Sequence, residues 1–350
     1  MAGILIIGGY GHVGRQIAAR LIRAGQAGVR VAGRDAGRAA VESAKLGCGW
    51  AVMDLDKPES WDAALAGIGT VVVCVDLVNA DFPAHVLERG LGYIDISATD
   101  AVLRRIEGLD ELARDHGGCA VLSVGLAPGL SNLMARAAVA RMEQVEAVTI
   151  GVLLGLGDAH GAAAVDWTLD NMRRLTPDDV RPMGFGPGAT VVQTMPFAFA
   201  DQHVLARRHV LENVTTRLGL ASPLITRATL RLLARLARRP VLRNLLRWSM
   251  ARFRLGSDRA SLVVEAVGHG ADGPLRHRLT LDGRAEAAIT ALIAAHVALA
   301  WPGAARPGVW HIEEIWHLGE FAPALRAEGI TLGEQRLDLP APADASGPDP

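Results

Sequence analysis

The chain has 350 residues, and its 36 basic and 37 acidic side chains leave a formal charge of −1. That balance argues against a general nucleic-acid binder, which carries a net basic footprint. The basic residues are 34 arginines and two lysines, Lys45 and Lys57, and the only tyrosines are Tyr10 and Tyr93; four residues beyond these stand Gly14 and Ser97, so a Tyr-x-x-x-Lys catalytic pair is excluded.

Through residues 2–125 short apolar runs alternate with helical patterns, which predicts a parallel sheet flanked by helices. Strands are expected at 4–7, 29–32, 50–53, 70–75, 93–96 and 119–124. Helices at 14–24, 36–45, 58–66, 82–90 and 109–116 fall between them. Six strands with helical crossovers make an α/β, doubly wound parallel sheet of the Rossmann type over 1–125. Beyond Gly125 the rhythm changes to helix 130–142, strand 145–153, helix 166–175 and a Pro/Gly-rich stretch at 176–188. Strands 261–267 and 275–281 and an alanine-rich helix at 284–300 follow. This predicts an inserted α+β domain over 126–305, serving substrate binding and dimerisation, and a segment 306–338 that returns to the first domain through a helix at 321–328. The end, 339–350, rich in Pro, Ala and Asp, is expected to be disordered.

Cys48, Cys74 and Cys119 form no motif, which predicts a reducing compartment and no structural zinc. The opening MAGILIIGGYG lacks the basic start of a secretory signal, and no apolar run reaches the ~20 residues of a membrane span. Together these place the protein in the cytoplasm.

The chemistry begins at Gly9-Tyr10-Gly11-His12-Val13-Gly14. A G-x-G-x-x-G that follows a first strand and opens a helix is the setting of a dinucleotide phosphate turn. Gly9 permits the tight turn, Gly11 lets a pyrophosphate approach the backbone, and Gly14 lets the helix pack close on the strand. The helix N-terminus faces the phosphates with free N–H groups and a positive dipole end. The second strand ends Gly33-Arg34-Asp35, with Gly33 and Arg34 where an NAD site would place an acid for the ribose hydroxyls. Gly33 leaves room for a 2′-phosphate and the Arg34 fork can bind it, so NADP(H) is preferred over NAD(H). Asp35 either points at a ribose or caps the following helix. Asp54 and Leu55 end the third strand, where the adenine edge would lie, though Asp54 also suits a helix cap. Cys74, Val75 and Asp76 after the fourth strand, and Ser97 after the fifth, should meet them at the carboxyl edge of the sheet. Within V-V-V-C-V, Cys74 reads as a small hydrophobe.

The segments GGYGHVG, VNADFPAHVLERGLGYIDISATD and VLSVGLAPGLSNLMAR resemble the saccharopine dehydrogenase-like family of NAD(P)-dependent oxidoreductases. The likeness extends more loosely through MPFAFADQ, DGPLRHRLTLDGRAEAAITA and EEIWHLGEFAPALRAEGI, so it spans nearly the whole chain. The resemblance implies a Rossmann domain, an α+β domain after the sixth strand and a C-terminal helix returning to the first domain. It further implies chemistry at the C–N bonds of amino acids, through an imine or by oxidation of an amine. Under it, Tyr10, His12, Val13, Arg34, Leu55, Val75 and Ser97 line the cofactor site, and Gly125-Leu-Ala-Pro-Gly129 runs under the nicotinamide between the domains. Ser131 and Asn132 either cap the next helix or belong to a helix N-terminus aimed at a substrate carboxylate.

Hydride transfer to an imine needs a proton source for nitrogen. Gly157-Asp158-Ala-His160-Gly161 makes a loop after a strand, and His160 there titrates near neutrality, so it is the candidate proton donor. Asp166, which either pairs a substrate ammonium or caps a helix, is the second catalytic candidate, with Trp167 beside it as a pocket wall or core residue. Asp201-Gln202-His203 after Met195-Pro-Phe197 is the second cluster, and its PF…DQ pattern, under the resemblance, shapes the domain interface and not the chemistry. His311 and His317, beside Trp310 and Trp316, read as structural, and no His/Asp/Glu spacing points to a metal.

From Arg217 to Ser257 there are ten arginines and no acid. This basic helical segment, 217–257, suits an anionic membrane surface, an acidic partner, or simply a solvated arginine face. The sequence thus reads as a homodimeric NADP(H)-dependent oxidoreductase acting at a C–N centre of an amino-acid-like or natural-product small molecule. The alternatives are NADPH-dependent C=O or C=C reduction of a lipid or polyketide, and a non-catalytic dinucleotide-binding scaffold or sensor.

Overall fold

The computed structural model describes residues 2–155, 157, 171, 179–186, 188–221, 232, 257–304 and 306–338. Helix 166–175 apart from Asn171, most of the basic segment and the end 339–350 lie outside the described residues. Strands β1 (Gly3–Ile7), β2 (Val29–Gly33), β3 (Gly49–Val52), β4 (Ile68–Val73), β5 (Gly92–Asp95) and β6 (Cys119–Leu122) run parallel. Their crossovers carry α1 (His12–Arg23), α2 (Ala36–Leu46), α3 (Trp61–Leu65), α4 (Asp81–Leu87), α5 (Asp100–Glu107) and α6 (Asp110–His116). Every residue of β1 is buried, because helices cover both faces of the sheet. The strip Val102, Leu103 and Ile106 holds α5 down, a two-turn helix too short for its period to register in the sequence.

The chain then builds α7 (Ser131–Val139), β7 (Gln144–Leu154), β8 (Arg181–Phe185), β9 (Thr190–Pro196), α8 (Ala200–His209), β10 (Val214–Leu220), β11 (Arg259–Gly270), β12 (Gly273–Arg284) and α9 (Glu286–Ala304). It ends in β13 (Gly308–His311), α10 (Ile312–Ile315), α11 (Leu318–Ala327) and β14 (Thr331–Asp338). The first sheet has the order β13-β6-β5-β4-β1-β2-β3 and the second β14-β12-β11-β7-β10-β9-β8. The first is therefore the expected doubly wound sheet with seven strands in place of six, since β13 returns to pair in parallel with β6. Four residues whose partner lies in the first half of the chain leave no local pattern to read.

The second sheet is mixed, with β7 and β10 parallel and a long β11–β12 hairpin beside them. Its β8–β9 hairpin curls back over the outer face: a Cβ at Gly151 of β7 would stand 2.6 Å from Met183 Sδ, so only glycine permits that closeness. Arg217, counted with the basic segment in the sequence, is instead a buried β10 residue. Its guanidinium donates to Thr194 Oγ1 at 3.1 Å and to the Asp179 carbonyl at 2.7 Å.

Helix α9 is apolar all round because it lies between the two sheets. One continuous core joins Ile6, Val72 and Val121 of the first sheet to Ile150 and Val264 of the second through α1, α7 and α9. At roughly 1.5–3 kcal/mol per buried aliphatic side chain, this shared core holds the sheets together. Among the described residues no helix is long and apolar enough to cross a membrane.

Candidate functional site

The crevice lies at the carboxyl edge of the first sheet, where the order reverses between β1 and β4, the place where doubly wound sheets bind ligands. The glycine turn after β1 is held by Gly8 N–H to the Ala32 carbonyl at 2.9 Å and Gly11 N–H to the Gly8 carbonyl at 2.8 Å. A Cβ on Gly9 would stand 2.6 Å from Val31 Cβ, and one on Gly14 would stand 2.8 Å from Gly9 Cα. These positions admit no side chain, so the turn sits tight against β2 and the start of α1. Tyr10, Gly11, His12 and Val13 are partly exposed along the rim. Val75 lies across the turn, with its Cγ1 2.6 Å from where a Cβ on Gly8 would be.

At the tip of β2 the structure gives Gly33 a different neighbour from the one expected. The space above Gly33 is filled by the Tyr10 ring, whose Cζ would be 2.6 Å from an added Cβ. Tyr10 Oη accepts from Asp35 N–H at 3.3 Å, and the Arg38 guanidinium stands 4.8 Å from the ring centroid. Asp35 Oδ1 accepts from Arg38 N–H at 3.0 Å, so it caps α2. Arg34 is exposed and makes no hydrogen bond to the described residues. Asp54 Oδ1 accepts from Asp56 N–H at 3.2 Å in a local turn, with Leu55 partly exposed beside it.

Beyond β4 and β5 stand Cys74, Asp76 and Ser97. Burial pushes the Cys74 thiol far up, with the nearby Asp95 adding to it, so no thiolate forms near neutral pH. Asp95 is 1% exposed; Tyr93 Oη donates to it at 2.7 Å and Ser97 N–H at 2.6 Å. Burial raises its carboxyl to about 6, and those two hydrogen bonds only partly offset that. Ser97 Oγ accepts from Thr99 N–H at 3.3 Å.

The floor beside the fifth and sixth strands is the loop 125–130. Its residues are buried except Ala127, which is partly exposed. The Leu126 N–H reaches Thr290 Oγ1 of α9 at 3.3 Å. Ser131 and Asn132 are 0% exposed, so they face the interior and not the crevice. On the second sheet, Asp201 Oδ1 accepts from Thr216 Oγ1 at 2.6 Å and Gln202 Oε1 from Thr216 N–H at 3.1 Å, which fastens α8 to β10. His160, Asp166 and Trp167 lie outside the described residues, while Gly157 N–H bonds the Ser257 carbonyl at 2.9 Å. Among the described residues no group of His, Cys, Asp and Glu is arranged to hold a metal ion.

The sequence reading missed Ser123, which lies with Asn132 beneath the loop and bonds His311 from far along the chain. The one local hint was His311-x-x-Glu314, in which Glu314 Oε2 accepts from His311 N–H at 2.7 Å at the start of α10.

No family model matches the chain, and no curated protein matches it in sequence. Among solved structures it is similar to saccharopine dehydrogenase (L-Glu forming) from Saccharomyces cerevisiae. The identity is 14%, the TM-score 0.65, and the match covers 96% of this chain and 100% of that one. It is also similar to the C. glutamicum DAP dehydrogenase in complex with DAP, at 15% identity and TM-score 0.48, covering 92% and 98%. An engineered D-amino acid dehydrogenase bound to NADP+ gives 14%, 0.48, 92% and 98%. The likeness to the yeast enzyme is one of fold: a Rossmann-type sheet followed by a second, mixed sheet, with nearly the whole of both chains aligned.

Proposed function

We propose that the chain is an NADP(H)-dependent oxidoreductase that moves hydride to or from a C–N centre of an amino-acid-like or natural-product small molecule. One observation carries the cofactor reading. The glycine turn closes against the N-terminus of α1 at the switch point, while the tip of β2 presents an exposed Arg34 and its one acid, Asp35, is engaged in capping α2. Arg34 would then take the 2′-phosphate as a fork, with Arg38 close by over Tyr10. The glycine turn would hold the pyrophosphate, and the loop 125–130 would lie under the nicotinamide. Bound there, the nicotinamide supplies the hydride. The C–N reading draws support from the fold shared with saccharopine dehydrogenase.

In this reading residues 126–305 form the substrate side, His160 supplies the proton to nitrogen and Asp166 pairs the substrate ammonium. The protein acts as a homodimer, which light scattering would test. Three unpaired cysteines support a reducing compartment, the cytoplasm.

Fluorescence titration tests the cofactor: NADPH should bind more tightly than NADH, and the reverse order would overturn the role of Arg34. NADPH oxidation with an imine mixture, and none with ketones, is expected; the opposite pattern would favour carbonyl reduction. A His160→Ala enzyme with unchanged turnover would remove the proton-donor role. Flotation with anionic vesicles tests the basic segment 217–257, and equal recovery with and without it would end the membrane reading.

A further inference from the structure

We propose that the segment from His311 to Glu313, contributed by the returning chain, fixes the loop 125–130 at both ends and so sets its height against the nicotinamide. Ser123 and Asn132 are then positioning residues. This inference rests on the dinucleotide reading above.

At the start of the loop, Ser123 holds φ at 59°, a left-handed conformation that residues with a side chain rarely adopt. Its Oγ is 2.8 Å from His311 Nδ1, and His311 Nε2 is 2.9 Å from Glu107 Oε1. Burial alone would raise the Glu107 carboxyl, but its bonds from His311 and Arg207 hold it down at about 2, so it only accepts. Nε2–H therefore donates to Glu107, and the Ser123 hydroxyl stands against Nδ1. At the far end, Gly129 holds φ at 138° and its N–H donates to Asn132 Oδ1 at 3.1 Å. Asn132 Nδ2 in turn donates to Glu313 Oε1 at 3.0 Å.

Both ends thus hang on side chains two residues apart in β13 and α10, in addition to the loop's own bond from Leu130 N–H to the Gly125 carbonyl at 2.9 Å. The segment is itself anchored from the second sheet. Arg207 of α8 donates to Glu107 at 2.8 and 2.5 Å, Arg208 grips Glu314 through two bonds of 3.0 Å, and His209 Nε2 stands 3.4 Å from Glu313 Oε1. A buried network of this kind acts as a unit, so the loop is indexed to both sheets at once. The Ser–His–Glu order is not a nucleophile, because Ser123 and His311 are 0% exposed and Arg207 shares the carboxylate.

Amide hydrogen exchange on the full chain, without cofactor, tests the clamp. Ser123→Ala and Asn132→Ala should each speed exchange in 124–130 by about tenfold while β1 and β4 stay as in the wild type. Glu313→Gln, which keeps an oxygen for Asn132, should leave exchange in the loop as slow as in the wild type. If the alanine variants fold poorly, Glu313→Asp breaks the same clamp more gently by withdrawing the oxygens one methylene. Unchanged exchange in the loop, or equal acceleration throughout the sheet, would overturn the proposal. In parallel, the alanine variants should bind NADPH about fivefold more weakly but adenosine 2′,5′-bisphosphate, which lacks the nicotinamide, as tightly as the wild type. Equal weakening of both ligands would overturn the link to the nicotinamide. A wild-type chain that binds neither ligand would sink the dinucleotide reading and that link together, with the exchange result still deciding the clamp.

Discussion

The two ends of the crevice are built in opposite ways. At the tip of β2, the proposed adenosine end, the bonds are local or span a single crossover: Asp35 to Arg38, Tyr10 to Asp35, Asp54 to Asp56. Its side chains are exposed or half-exposed, and Arg34 is unengaged by the described residues. At the loop 125–130, the other end, nearly every residue is buried and the bonds reach across the chain, from Ser123 to His311 and from Asn132 to Glu313. One end can reshape its charge by a single substitution without disturbing the core. The other cannot be altered without involving both sheets.

Gly14 underlies both ends, and its replacement should have the largest effect. In Gly14→Val the new side chain must displace Gly9, lifting α1 off the turn, and NADPH affinity should fall roughly 1,000-fold by fluorescence titration. An undiminished affinity would show that the pyrophosphate lies elsewhere.

Between the two ends, Asp95 links burial to pH. Its folded carboxyl is raised to about 6 from 3.8, so the folded state holds the proton more tightly than the unfolded chain. That contribution is fully present below about pH 4 and is lost as pH rises through 6, about 3 kcal/mol in all. Asp95→Asn should flatten this slope in denaturant melts collected from pH 4 to 7; a slope like that of the wild type would assign it to another group.

A smaller and more selective effect belongs to the tip of β2. Arg34→Ala should weaken NADPH about tenfold and leave NADH untouched, as read by competitive titration. Equal weakening of both would mean that Arg34 contacts something common to the two. Least of all, Tyr10→Phe removes one long hydrogen bond while the ring stays over Gly33. It should cost under about 1 kcal/mol of stability in a denaturant melt, and a larger loss would reveal a stronger role for the hydroxyl.

The contrast also explains what could be read in advance. The place of the glycine turn after β1, and of Arg34 and Asp35 at the tip of β2, was legible because each owes its position to residues a few places away and to a strand that ends beside it. Gly33 was legible as a small residue but not in its purpose, since the ring that fills its space comes from Tyr10 on a neighbouring turn. Ser123, Glu107 and Arg207 carry no spacing that marks them, because their partners are set by the sheet order and not by the sequence interval. Strand β13 was invisible for the same reason, and Arg217 was misread because counting charge does not reveal burial.

The late arrival of β13 also dictates the order in which the protein becomes competent during synthesis. When a ribosome has released the chain through Ala304, the phosphate turn, the first six strands and α9 are all outside. His311 and Glu313 are still inside the tunnel, so the loop 125–130 has its own bond and its tie to Thr290 but neither of its side-chain anchors from the returning segment. On the dinucleotide reading proposed above, a nascent chain would acquire its grip on phosphate before the seat for the reactive ring is finished, and a chain released early would keep the first and lack the second.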